Sequence, residues 1–251
     1  MKKLVFLLVG IIVSLNVINV NADEIFYTNA NGVSMTEAQY DFFGEFYWDG
    51  YQEYVTEAQF NKFLTRGYFN STIEKVEYDE ELIASSNIHL GDEIQGTTHE
   101  TTAKKLTISK ACSGSICDIA TTLKWKGTPN VKSYDVIGAL LYNGVTLYTE
   151  PSTTLTYSGG TLFYGDEYYV GGGFGTSVKL QTSSTNMRIT QDFEVTGTGT
   201  IYASYQHATS NISKSTSQLY NVAYGGYGGV FHFYGAAVGV FDGMGGVNIS
   251  I

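Results

Sequence analysis

The sequence predicts a mainly β protein, in which an antiparallel β-sandwich or jelly-roll-like domain follows a small α+β N-terminal module. The first observation is that apolar residues recur with a period of two from residue 105 onward, with turn-forming residues at short intervals. The second is that this region has no helical pattern of useful length, whereas a parallel sheet needs helices between its strands. The third is that the preceding region carries two copies of a helix-start motif.

Residues 1–22 are predicted to form a secretory signal peptide. Lys2 and Lys3 give a positive start, an apolar run covers residues 4–13, and Val20-Asn21-Ala22 places small or apolar residues at the cleavage positions. The alternative is a membrane anchor, but the run is shorter than the roughly 20 residues that span a bilayer. We therefore expect a mature chain that starts near Asp23 and is secreted, in the manner of a bacterial export substrate.

The net charge of −10 averages over two regions of different character. Residues 23–100 contain 16 acidic and 3 basic side chains, whereas residues 101–251 contain 8 acidic and 9 basic ones. Of the 29 glycines, 22 lie in the second region. These shifts predict an acidic module over 23–100 and a β domain over 101–251, joined at the Thr-rich residues 97–102. No cluster of Lys and Arg is present, which argues against nucleic acid as a partner.

The acidic module contains an internal repeat with an offset of 20 residues. Residues 35–43 and 55–63 share a Thr-Glu-Ala-Gln core, in which Thr and the Gln three positions later form a capping box. The pattern predicts short helices over 36–46 and 56–65, joined by an aromatic linker. Upstream, Asn31-Gly32 between apolar residues predicts a hairpin.

The segment Asn31-Gly32-Val33-Ser34-Met35-Thr36, together with the second Thr-Glu-Ala-Gln copy, resembles N-terminal segments of uncharacterised small secreted proteins of Gram-positive bacteria. The resemblance covers only this part of the chain. It implies a similar secreted origin and no particular activity.

The second region predicts a series of short antiparallel strands. Ile119, Thr121, Leu123 and Trp125 alternate with polar positions, which is typical of a strand with one face in water. Asn143-Gly144 predicts a hairpin between two further strands. The remaining predicted strands cover residues 131–137, 153–157, 162–164, 168–170, 178–182, 187–195, 200–207, 218–224, 230–234 and 247–251.

Two cysteines, Cys112 and Cys117, flank a Gly-containing turn. In an exported chain this spacing predicts a disulfide that clips a hairpin. A redox role is disfavoured, because redox pairs usually have two intervening residues at a helix start.

The sequence contains no complete motif for metal or cofactor chemistry. His99-Glu100 begins like a zinc-protease helix, but Ala103 stands where the second histidine is required. The glycines of residues 171–175 are not followed by the Lys of a phosphate-binding loop. We therefore expect no cofactor and no metal, and an enzyme is the less favoured interpretation.

The leading hypothesis is a secreted, non-enzymatic binding or surface-interaction protein for an unknown extracellular glycan or protein. Tyrosine combines apolar contact area with a hydrogen-bonding tip, so exposed tyrosines are binding candidates. The candidates, which we expect to be exposed, are Tyr47, Trp48, Tyr51, Tyr224 and Tyr227.

Two alternatives remain open at this point. Residues 176–200 are rich in Ser and Thr and lack Pro, so they could form a membrane-inserting hairpin of a β-pore-forming or lytic protein. Membrane contact is expected only under this alternative. Asp166, Glu167, Asp192 and Glu194 could instead supply the two carboxylates of a polysaccharide hydrolase.

Overall fold

The computed structural model is mainly β with antiparallel sheets, as the alternation predicted. The predicted signal peptide and the predicted domain boundary at 97–102 lie outside the described residues. The structure describes residues 27–79, 104–165, 167–181, 185–225, 229–242 and 244–251.

The N-terminal region forms a small helical layer. The predicted hairpin is present as the short strands β1 (Tyr27–Thr28) and β2 (Ser34–Met35). The two predicted helices are confirmed as α1 (Glu37–Phe46) and α2 (Glu57–Arg66). Single turns of 3₁₀ helix follow each of them, at Tyr51–Tyr54 and Tyr68–Asn70.

Both predicted capping boxes are confirmed. The backbone N–H of Gln39 donates to the Thr36 hydroxyl at 3.3 Å, and the Thr36 N–H donates to the Gln39 side chain at 3.0 Å. In the second helix, the Gln59 N–H donates to the Thr56 hydroxyl at 3.3 Å, and the Thr56 N–H donates to the Gln59 side chain at 3.1 Å. These bonds satisfy amides that have no partner within the helix, so both helix starts are encoded locally.

The larger sheet has seven strands, all antiparallel to their neighbours. Its strand order is β3-β4-β5-β12-β8-β9, and the short strand β7 pairs with one end of β12. The strands are β3 (Ile73–Asp79), β4 (Lys104–Ser113), β5 (Ile116–Trp125), β7 (Thr146–Leu147), β8 (Ser152–Tyr157), β9 (Gly160–Tyr164) and β12 (Arg188–Thr196).

Strand β3 lies on the N-terminal side of the predicted boundary, yet it pairs with β4 along its whole length. Most of its side chains are charged or polar. Charged residues are typical of an edge strand, where they discourage pairing with another chain. The division at residue 100 into two domains stays a prediction.

The smaller sheet has five strands in the order β10-β11-β6-β13-β16. The predicted last strand of the chain pairs with β13 inside this sheet. The strands are β6 (Tyr134–Tyr142), β10 (Glu167–Val170), β11 (Gly173–Lys179), β13 (Thr200–Gln206) and β16 (Val247–Ser250).

Glycines of the stretch 171–175 belong partly to β11, so this strand begins earlier than the sequence predicted. A Cβ at Gly175 would lie 2.5 Å from the Tyr220 hydroxyl, and one at Gly173 would lie 2.4 Å from Val222. The glycines therefore allow another layer of chain to approach the sheet closely.

The two sheets enclose the main apolar core. Residues on the inner faces of both sheets, such as Leu123, Ile137, Phe193 and Tyr205, are fully buried. The outer face of β5 was predicted to meet water, and that prediction is wrong for Ala120 and Thr122, which are buried, as is Asp118 on the same face. The helical layer covers this part of the outer face.

The C-terminal region covers the opposite side of the sandwich. Strands β14 (Tyr220–Val222) and β15 (Phe231–Phe233) form a small antiparallel pair. Their side chains pack with Val136 and Leu140 on the outer face of the five-stranded sheet. The fold therefore has four layers, with the two sheets inside.

The predicted disulfide between Cys112 and Cys117 is confirmed. The two residues face each other directly in the β4–β5 hairpin, and Gly114 in its turn has a φ of 61°. Glycine adopts this backbone conformation without strain. The short segment from Cys112 to Cys117 therefore specifies both the turn and the disulfide.

Replacing both Cys112 and Cys117 with Ser should lower the free energy of unfolding by about 2 kcal/mol, because the closed loop is short. Urea denaturation of the purified variant measures the change. Wild-type protein kept in a reducing agent should lose the same amount, and a loss well above this value would show that the bond does more than restrict the unfolded chain.

Candidate functional site

The aromatic linker after α1 is buried, so the predicted exposure of Tyr47 and Tyr51 is wrong. Tyr47 is 1% exposed and Tyr51 is 4% exposed, and their rings stack with centroids 4.0 Å apart. Both pack among the phenylalanines of α1 and α2, including Phe43 and Phe63. Short helices become stable mainly through such tertiary burial, which explains where these rings lie.

Trp48 lies at the edge of the same cluster and is partly buried. Its indole N–H donates to the Thr190 hydroxyl at 3.3 Å, and the Arg188 guanidinium lies 4.2 Å from the ring centroid. Both partners are on β12, so Trp48 ties the linker to the seven-stranded sheet.

A buried carboxylate cluster lies beneath α2, on the outer face of the seven-stranded sheet. We define it as Asp118 on β5 with Asp192 and Glu194 on β12. Glu194 pairs directly with Asp118 across the two strands, and Asp192 is two residues away on the same face. All three side chains are buried. The alternation of β12 places them together, and the sequence had singled out only the two on β12.

Two basic side chains of α2 neutralise most of this charge. The Lys62 ammonium lies 3.0 Å from Asp118 and 2.7 Å from Asp192. The Arg66 guanidinium lies 3.3 Å from Glu194. The two bases are four residues apart, so one face of α2 presents both to the sheet.

Tyrosine hydroxyls complete the hydrogen bonding. The Tyr47 hydroxyl donates to Asp192, and the Tyr68 hydroxyl donates to Glu194 at 2.6 Å. The predicted binding residue Tyr47 is therefore a hydrogen-bond donor inside the protein.

The pKa values report how strongly this cluster is buried. Burial and the charge of Asp192 raise the pKa of Asp118 well above its ordinary value. Burial opposes the ammonium form of Lys62, but the charges of Asp192 and Asp118 outweigh it and raise the Lys62 pKa. The cluster thus joins α2 to the sheet through ion pairs whose carboxylates are buried and whose basic partners are partly exposed.

The carboxylates proposed for a hydrolase do not converge in an open cleft. Asp192 and Glu194 are neighbours, but α2 and the tyrosines cover them. Glu167 lies on β10 in the other sheet, and Asp166 is outside the described residues. Asp192 and Glu194 bind side chains of α2 and two tyrosines, which fits a role in holding the helical layer on the sheet.

The two described strands within residues 176–200, β11 and β12, do not pair with each other. Strand β11 belongs to the five-stranded sheet and strand β12 to the seven-stranded sheet. Each pairs with strands other than its partner in the suggested hairpin. The sequence pattern had suggested a membrane hairpin because it could not assign the two strands to sheets.

Tyr224 is exposed, as predicted, and it belongs to a group of three tyrosines. We call Tyr142, Tyr202 and Tyr224 the tyrosine surface. The ring centroid of Tyr224 lies 5.0 Å from that of Tyr202 and 6.4 Å from that of Tyr142, and the latter two are 6.0 Å apart. Tyr142 is 43% exposed and Tyr224 is 55% exposed. The remaining candidate, Tyr227, lies outside the described residues.

The register of β6 and β13 brings two of these rings together. Tyr142 pairs with Thr200, and Tyr202 pairs with Leu140, so Tyr142 and Tyr202 are diagonal neighbours on one face. Tyr224 reaches them from the loop after β14. The sequence did not single out Tyr142 and Tyr202, because only the strand register shows that they meet. The one signal in the sequence was the position of Tyr142 directly before the Asn143-Gly144 turn.

Neutral polar groups flank the tyrosine surface. Strand β16 places Asn248 beside Tyr202 and Ser250 beside Thr200, and both Asn248 and Ser250 are exposed. Tyr, Ser, Thr and Asn together provide apolar area and adaptable hydrogen bonds, a combination that antibody binding surfaces also use. The arrangement can therefore bind a ligand without charge pairing.

No family model matches the sequence, and no curated protein matches it. One solved structure is similar: the KRT10-binding region domain of the pneumococcal serine rich repeat protein PsrP, at 11% identity. The match covers 54% of this chain and 88% of that one, with a TM-score of 0.31. A likeness of this size carries no inference about the ligand of the present chain.

Replacing Lys62 with Met should destabilise the fold by about 3 kcal/mol at neutral pH, because buried carboxylates lose their counter-charge. Burial raises the pKa of Asp118, so its neutral acid is the form that the folded state favours. The contribution of Asp118 to the free energy of unfolding is therefore full at low pH and is lost as the pH rises. The deficit of the variant should therefore shrink as the pH falls toward the ordinary carboxyl pKa of about 4. Urea denaturation at several pH values measures both effects.

Lys105→Met provides the matched control. Lys105 pairs with Glu77 at 2.7 Å, but both side chains are substantially exposed. Its loss should cost less than about 1 kcal/mol at every pH. Equal losses for the two variants would contradict the structural role assigned to the carboxylate cluster.

Proposed function

We propose that the chain is a secreted, non-enzymatic binding protein whose extracellular ligand contacts the tyrosine surface. The observation that carries the proposal is the grouping of Tyr142, Tyr202 and Tyr224 with two of the rings about half exposed. Aromatic side chains at the centre of an interface supply a large share of its binding energy. Clustered exposed aromatics on a soluble protein typically mark an interaction site.

The rigidity of the sheet supports this assignment. Tyr202 pairs with strands on both sides, β6 and β16, and Tyr142 at the end of β6 pairs with Thr200 of β13, so the sheet holds both backbone positions. A ligand would therefore meet a preorganised surface, which lowers the entropy lost on binding.

Secretion is supported by the N-terminal signal-like sequence and by the disulfide, which forms in oxidising compartments. Among the described residues, no helix is long and apolar enough to cross a membrane. The similarity of the N-terminal segment to secreted Gram-positive proteins is part of the same proposal.

Binding should be tested on a glycan array and on a panel of purified extracellular-matrix proteins, using the disulfide-bonded chain. Wild-type protein should bind at least one probe, and Tyr142→Ala and Tyr224→Ala should each weaken that binding about tenfold or more. Surface plasmon resonance on the positive probe measures the affinities.

Phe163→Ala is the matched control, because Phe163 is 74% exposed on strand β9 of the other sheet. This variant should bind as the wild type does. Loss of binding in Phe163→Ala but not in the tyrosine variants, or no binding by wild-type protein in either arm, would refute the assignment.

The salt dependence gives an independent prediction. The strand residues on this face, including Thr200, Asn248 and Ser250, are neutral. Affinity for the probe should therefore change little between low and high salt, because screening acts on charge pairs. A steep fall in affinity with added salt would place the contact on a charged part of the protein instead.

A further inference from the structure

A lysine and an aspartate meet inside one end of the sandwich core. Lys104 is the first residue of β4, and its ammonium contacts Oδ2 of Asp242, which lies shortly before β16. Both side chains are at most 1% exposed. A fully buried ion pair is costly, because water no longer stabilises either charge.

The other oxygen of this carboxyl group is also engaged. The backbone N–H of His207 donates to Oδ1 of Asp242 at 2.9 Å. The two oxygens of Asp242 therefore face different groups, an amine on one side and an amide donor on the other. These two contacts fix the orientation of the carboxyl group relative to the lysine nitrogen.

Aromatic and polar side chains surround the pair. The Lys104 nitrogen lies 5.0 Å from the centroid of the Trp125 ring, and the His207 ring packs edge-on against the same indole with centroids 4.7 Å apart. The His207 ring is in turn hydrogen-bonded to Asp135 at 3.0 Å. Trp125, Asp135 and His207 are all at most 2% exposed, so bulk water is excluded from the pair.

We propose that Lys104 and Asp242 condense to form an intramolecular amide, an isopeptide cross-link. The reaction begins with the transfer of one proton from the lysine nitrogen to Oδ2, which converts the buried ion pair to a neutral amine and a neutral acid. The neutral nitrogen is a nucleophile that already contacts an oxygen of the carboxyl group it attacks, and such proximity greatly accelerates bond formation.

The atoms balance as follows. The Nζ–Cγ bond forms, and negative charge develops on Oδ1, where the His207 N–H can stabilise it. The nitrogen gives a second proton to Oδ2, the Cγ–Oδ2 bond breaks, and Oδ2 leaves as water. The Lys104 ammonium and the Asp242 carboxylate thus become one neutral amide and one water molecule, and no oxidant or other reactant is needed.

Lys62, which also contacts aspartates, is not assigned this reaction because its side chain is less buried than that of Lys104. The Lys62 side chain is 24% exposed and shares two carboxylates, Asp118 and Asp192. Access to water favours its ammonium form, which is not nucleophilic. Lys62 therefore serves as an internal control for Lys104.

The position of the cross-link gives it a structural consequence. Residues 104 and 242 are 138 positions apart, so the bond would enclose most of the sandwich in one covalent loop. Unlike the Cys112–Cys117 bond, it would persist under reducing conditions.

Intact-mass spectrometry of the purified full chain tests the proposal. The main species should be lighter than its disulfide-bonded sequence by the mass of one water molecule. Digestion followed by tandem mass spectrometry should yield a branched peptide that joins Lys104 to Asp242. Lys104→Arg should restore the full mass, whereas Lys62→Arg should keep the loss. Because the branched peptide is sought in the wild type, the test does not depend on folding of the variants.

One other reaction also releases water and must be distinguished. Gly243 follows Asp242 in the sequence, and an Asp-Gly pair can cyclise to a succinimide within a single linear peptide. Mild alkali hydrolyses a succinimide and restores the mass, whereas an isopeptide survives. A wild-type chain of full mass, or a water loss that maps to a linear peptide, would overturn the proposal.

Discussion

Pairing of the carboxylates on the outer face of the seven-stranded sheet is the constraint on which the layered structure depends. Asp118, Asp192 and Glu194 lie side by side at the centre of that sheet, and together they would repel one another if left uncompensated. Lys62 and Arg66 on one face of α2 neutralise most of this charge. The helical layer is therefore held in one position by ion pairs as well as by its aromatic core.

The two outer sides of the sandwich have different properties as a result. The helical side is closed, because Tyr47 and Tyr68 use their hydroxyls on internal carboxylates. The opposite side is covered only in part by the C-terminal strands, and it leaves Tyr142 and Tyr224 accessible beside neutral polar residues. Tyrosine thus has two roles in this protein: Tyr47 and Tyr68 bond to buried carboxylates, whereas Tyr142 and Tyr224 are exposed to solvent.

The two lysine–aspartate contacts, at Lys62 and at Lys104, differ in how deeply they are buried. Lys62 keeps some access to water and two negative partners, which maintain it as an ammonium ion. Lys104 meets Asp242 with both side chains enclosed by aromatic rings and core strands. The same pair of residue types is therefore a persistent ion pair in one layer and a candidate for covalent bond formation in another, because the local polarity differs.

The sequence by itself determined the local features, since these depend on residues close together in the chain. The capping boxes at Thr36 and Thr56, the period-two strands and the Cys112–Cys117 pair follow from short-range chemistry. The hairpin predicted at Asn143-Gly144 is wrong, because the strands before and after this turn belong to different sheets. Only the tertiary structure decided which tyrosines are exposed and which carboxylates meet. Those outcomes depend on strand register and on layer packing, which join residues as distant as Tyr47 and Asp192. No local pattern contains that information.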